Sequence, residues 1–145
     1  AHIHTFVKAF HTQRKRKSEG DIGVRVKALR VPNGQLASEE CRNAAARIVF
    51  CHVPPETKGW YGAVQMCEYL VKPLNVAYID AMFCGHIHRW RVAEPDGKIS
   101  NANFPVICNP NMQRMEVTLT KKSLEIKTFD TNGTITNKHS RTLKQ

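Results

Sequence analysis

Two short apolar runs that each stop on histidine constrain this chain more than any other feature. Ile48-Val49-Phe50-Cys51 runs into His52-Val53-Pro54-Pro55, and Ala81-Met82-Phe83-Cys84 runs into Gly85-His86-Ile87-His88-Arg89-Trp90. Four or five consecutive apolar residues bounded by turn formers are the pattern of a strand buried on both faces. A helical pattern lies between the two runs. Val64, Cys67, Tyr69, Leu70 and Val71 fall near helical spacing, which predicts a helix over residues 62–72 that ends at Pro73. Strand, helix and strand with connections of this length imply a parallel α/β unit. Loops at the carboxyl ends of such strands are where α/β folds build their sites. Three imidazoles, His52, His86 and His88, are therefore expected at one rim.

The rest of the chain fills in around that unit. Ser38-Glu39-Glu40 has the N-cap and acidic first turn of a helix expected to run to Ala46. Val24, Val26 and Ala28 alternate with basic residues as a short exposed strand would, and Pro32-Asn33-Gly34 is a turn signal. Phe104 to Cys108 reads as a further buried strand. Val117 to Leu119 and Leu124 to Phe129 alternate as an antiparallel pair with one wet face. Beyond Asp130-Thr131-Asn132-Gly133 a short apolar signal at Ile135 gives way to a polar tail from Asn137, expected to fray. Two segments are thus expected: a basic, weakly patterned stretch over 1–47 and a patterned α/β part over 48–145.

Composition narrows the function classes. At 145 residues, 41% hydrophobic and 23% charged, the chain can build one ordinary core and is not wholesale disordered. No run approaches the length needed to span a bilayer, and residues 1–10 show no signal-peptide pattern. The five cysteines include no Cys-x-x-Cys pair, which argues against a disulfide framework and leans weakly to a reducing, cytoplasmic setting. Cys51 and Cys84 read as small buried hydrophobes, although Cys84 has the parity to share a face with His86. The net charge of +10 is uneven, and its sharpest part is Arg14-Lys15-Arg16-Lys17, a cluster that could bind phosphate or nucleic acid but reads first as a solvated loop.

The histidines gain weight as a set. His86 and His88, two apart on an extended segment, project to the same side, and Gly85 permits close approach or a positive φ. His2, His4 and His11 precede any clear element, and His139 lies in the polar tail, so these four read as incidental. A three-histidine group with an open position can hold one zinc; with more ligands it can hold two ions.

Val49 to Pro55, followed by Gly85-His86-Ile87-His88-Arg89, resembles the last two metal-binding motifs of the calcineurin-like metallophosphoesterases. The Trp60-Tyr61-Gly62 loop, Phe104 to Ile107 and the closing hairpin are similar to the bacterial purple-acid-phosphatase-like branch, so the likeness covers about residues 46–136. It implies the C-terminal half of a four-layer α/β/β/α sandwich, with a mixed sheet and a C-terminal antiparallel hairpin. It also implies a two-metal centre of iron, manganese or zinc that hydrolyses a phosphate ester. His52 and His86 would bind one ion and His88 the other, with Arg89 near the substrate. The family's first three motifs are missing. Gly20-Asp21-Ile22-Gly23-Val24 starts like the second, but Val24 stands where a carboxylate belongs. The bridging carboxylate would then come from an N-terminal half or a second chain, and half a sandwich would expose apolar surface. The alternative is a non-catalytic phosphate- or nucleic-acid-binding module of the same fold.

Overall fold

The computed structural model describes residues 5–10 (as a strand), 36–120 and 122–143. The expected strand over Val24 to Ala28, the turn at Pro32 to Gly34, the basic cluster Arg14 to Lys17, and His2, His4 and His11 lie outside the described residues.

The paired apolar runs become adjacent strands. β2 (Ala46–Cys51) pairs in parallel with β3 (Ala81–Cys84), Cys51 level with Cys84. β1 (Thr5–Phe10) adds in parallel to the other side of β2. β5 (Val106–Cys108) pairs in parallel with β3, and β4 (Arg91–Ala93) closes the sheet antiparallel to β5, giving the order β1-β2-β3-β5-β4. A second, antiparallel sheet holds β6 (Arg114–Leu119), β7 (Ser123–Phe129) and β8 (Ile135–Thr142) in that order. The polar tail from Asn137 thus forms a third strand where a hairpin and a frayed end are expected. Its backbone pairs with β7 from Ile135 opposite Phe129 to Thr142 opposite Ser123, with a bulge at Thr136.

Strand alternation splits the core in two. One face of the large sheet presents Val49, Cys51, Met82, Cys84, Val106 and Cys108 to the helices. The other presents Ala46, Ile48, Ala81, Phe83 and Ile107 to Leu124 and Ile126 of the second sheet. The described residues therefore stack as helices, mixed sheet and antiparallel sheet. The second sheet leaves part of the facing surface open: Phe50, stacked on Phe83, is 41% exposed and Val117 36%.

The helical layer departs from the expected spans. α1 (Glu39–Asn43) is capped by the Ser38 side chain, which accepts from the Cys41 amide at 3.2 Å, but it stops short of Ala46, which already belongs to β2. The helix after β2 starts at α2 (Tyr61–Met66), widens into a π-helical turn (Cys67–Val71) and continues as α3 (Lys72–Val76). Pro73 does not end it. A wider turn ahead of proline relieves the clash between its ring and the preceding carbonyls, so the chain passes through. The stripe against the sheet is Ala63, Met66, Cys67, Leu70, Val71 and Leu74, whereas Tyr69 faces out at 57% exposure. β3 starts at Ala81, and Val76 ahead of it is an exposed helical residue. No helix of the described residues is long and apolar enough to cross a membrane.

Candidate metal centre

The carboxyl ends of β2, β3 and β5 form one edge, and the residues that leave it carry the chemistry. His52 follows β2 and His86 lies two residues after β3. Their rings meet edge to face with centroids 5.1 Å apart, and His86 Nδ1 stands 3.2 Å from His52 Nε2. The backbone enforces the approach: the Gly85 amide donates to the His52 carbonyl at 3.0 Å. A Cβ on Gly85 would sit 3.6 Å from His52 Nδ1, an ordinary contact, so space alone does not demand glycine there.

The left-handed backbone falls on the histidines themselves. His86 has φ 67° and His88 φ 57°, whereas Gly85 is not among the positive-φ glycines. The Ile87 amide donates to the Gly85 carbonyl at 2.8 Å, which closes a three-residue γ-turn centred on His86. A γ-turn of positive φ is the rare, strained form, and such backbone costs about 1–3 kcal/mol per residue and gathers at functional sites. His86 and His88 therefore do not lie on an extended segment. The loop after β5 braces this turn: the Asn109 amide donates to the Cys84 carbonyl at 2.8 Å and the Asn111 amide to the His88 carbonyl at 3.2 Å.

All three histidines are exposed at the rim. The structure brings His52 and His86 into contact. His88 lies within electrostatic range of His86, but among the described residues no three His, Cys, Asp or Glu side chains gather closely enough to hold an ion together. Partial burial, then the neighbouring His52 and His88, hold the His86 imidazole below the usual histidine range. That favours the neutral ring, the form that binds a cation. Trp60 lies over His86 with centroids 5.2 Å apart and planes 27° from parallel. Arg89 is exposed beside the turn.

Beneath the rim, Cys51, Cys84 and Cys108 stand side by side in register across the three parallel strands, all buried. Burial raises each thiol: Cys51 is pushed up to about 11 and Cys84 well above the ordinary value. The Cys84 thiol points to the Val53 carbonyl at 3.9 Å, so it packs in the floor and is not a ligand beside His86. At the end of this row Arg91 is level with Cys108 and pairs with Glu56 of the loop after His52 at 2.5 Å. His139 is not incidental to the fold. It lies on β8, 3.8 Å from Glu94, with Arg141 3.6 Å from the same carboxylate.

A cleft of about 710 Å³ opens at the opposite end of the strands, lined by Leu36, Arg42, Arg47, Pro73 and Tyr78 among others. Among the described residues its lining holds no imidazole or carboxylate. Arg47 there clamps the ends of two helices, donating to the carbonyls of Cys41, Arg42 and Tyr78. The histidine rim, not this cleft, is where convergent chemistry sits.

No family model matches the chain, and no curated protein matches its sequence. Among solved structures the chain is similar to GAP50, the anchor in the inner membrane complex of Plasmodium, at 18% identity with a TM-score of 0.56. The match covers 70% of this chain and 38% of that one, so the chain spans well under half the length of its structural neighbour. At that identity the likeness concerns the fold.

Proposed function

We propose that this chain contributes the C-terminal, histidine-bearing part of a metal-dependent phosphoesterase with the four-layer calcineurin-like architecture. The observation that carries the reading is the 3.2 Å approach of His86 Nδ1 to His52 Nε2 at the ends of adjacent parallel strands. Two nitrogens each about 2.0–2.1 Å from one tetrahedral ion stand about 3.3 Å apart, so the separation of this hydrogen-bonded pair matches that of two ligands to one cation. Imidazole donors accept iron, manganese or zinc. When bound, such ions acidify water and neutralise charge on a phosphoryl group.

The residues of this chain supply the rest. His52 and His86 would hold one ion, and His88, two residues further on, would serve a second. Arg89 offers an exposed cation to an anionic ester. Three neutral imidazoles do not offset the repulsion between two closely held dications, so the carboxylates of a two-metal centre come from another segment or another chain. The exposed Phe50 and Val117 are consistent with a surface that such a segment would cover.

The test is metal content and p-nitrophenyl phosphate turnover with manganese, zinc or iron, for the wild type and for His52→Ala, His86→Ala and His88→Ala. Metal retained undiminished by both His52→Ala and His86→Ala would overturn the reading. A second reading has one observation in its favour: the structural neighbour is described as an anchor. A non-catalytic module of this fold would bind metal or phosphate without turnover even when the carboxylate-bearing segment is supplied, and turnover by the assembled protein separates the two.

A further inference from the structure

The geometry points to Trp60 as the positioning residue of His86, with Gly62 as the seat that holds the indole in place. Trp60 is 41% exposed, so burial alone does not explain where its ring lies. Its backbone is fixed by the start of α2, where the Trp60 carbonyl accepts from the amides of Ala63 at 3.0 Å and Val64 at 3.3 Å. Its side chain is fixed by an absence. A Cβ on Gly62 would fall 2.2 Å from Trp60 Cζ3 and 2.3 Å from Cη2, far inside contact distance. Only glycine at 62 permits this indole position.

The other end of that arrangement is His86, whose ring stacks on the indole at 5.2 Å. His86 sits on a strained turn and is exposed, so apart from its contact with His52 little else restrains its side-chain torsions. A stacked partner is chemically suited to the task. It covers the face of the imidazole and leaves both ring nitrogens in the plane, Nδ1 for the hydrogen bond to His52 and Nε2 outward. A second hydrogen-bonding partner would consume the outward one. Trp60 thus selects the orientation in which Nδ1 meets His52. The functional weight of this contact rests on the metallophosphoesterase reading; the contact itself does not.

The experiment uses the whole chain as wild type, Trp60→Leu, Trp60→Phe and Gly62→Ala. Proton–nitrogen NMR of the histidine rings, on metal-free protein at about pH 8, above the usual histidine range, reads the tautomer and ring-current shift of His86. Cobalt titration of the same samples reads affinity. We expect one dominant His86 tautomer in the wild type and a mixture in Trp60→Leu and Gly62→Ala. Cobalt affinity should fall about tenfold in those two, the scale for partners that orient a metal-binding histidine. Trp60→Phe, which keeps an aromatic face, should restore most of it. Gly62→Ala adds a better helix former, so it displaces the indole while the fold stands, and it decides the matter if Trp60→Leu does not fold. A His86 spectrum identical to wild type in Gly62→Ala overturns the inference. If the wild type binds no cobalt, the phosphoesterase reading fails and the NMR comparison still decides whether Trp60 orients His86.

Discussion

The Glu56–Arg91 pair ties the loop that carries His52 and Trp60 to strand β4, and its strength can be worked from its surroundings. Arg91 Nη2 lies 2.5 Å from Glu56 Oε1, with side chains 17% and 18% exposed. Breaking a fully buried pair by removing one partner costs about 3–5 kcal/mol, and an exposed pair is worth about 0–1 kcal/mol. At under a fifth exposed the pair lies nearer the buried limit, so Glu56→Gln or Arg91→Met should each cost about 2–3 kcal/mol. For a chain of this size that corresponds to a fall in Tm of about 5–10 °C. The double variant should cost less than the sum, because the second change removes a charge already stranded. Denaturant unfolding of the four proteins gives the coupling directly, expected at about 1.5 kcal/mol or more. A coupling below about 0.5 kcal/mol would show the pair to be worth no more than an exposed one and would refute the argument.

Leu124 is fully buried between the two sheets, so Leu124→Ala should cost about 2–5 kcal/mol in denaturant unfolding, against less than 1 kcal/mol for the exposed Glu125→Ala (magnitudes of about this size). His86, held below the usual histidine range in the folded state, binds fewer protons there than when unfolded. Stability of metal-free protein should therefore fall as pH drops below about 6.5, and His86→Asn should flatten that slope. His52→Ala should weaken binding of a first equivalent of zinc more than His88→Ala does, because the ring of His52 touches that of His86; calorimetry with one variant at a time checks this.

The parallel unit and the meeting of His52 with His86 are legible in the sequence because unbroken apolar runs leave few alternatives to strands buried on both faces. Other features carry no such signal. In the stretch that forms β1, Lys8 interrupts the apolar residues and no turn former marks either end. β8 is nearly all polar, with Asn137, His139 and Arg141 opposite the buried Thr128, Ile126 and Leu124, so backbone pairing and the Arg141–Glu94 ion pair hold it where alternation cannot announce it. Pro73 reads as a stop because the π-helical turn that admits it depends on hydrogen-bond geometry that residue types do not encode. The left-handed conformation of two non-glycine residues, His86 and His88, runs against propensity, and the extended reading of that pair follows from the same rule. Trp60 is visible as an aromatic loop residue, but its link to His86 depends on the missing Cβ of a residue two places on.

The three thiols abreast beneath the histidines give the protein a gauge of its own breathing. Closed over by strand-end hydrogen bonds and kept protonated by burial, they are sheltered from alkylating reagents for as long as β2, β3 and β5 stay in line. The speed at which a maleimide reaches them therefore times how often that edge of the sheet parts. A cation that clasps the imidazoles above should slow that clock.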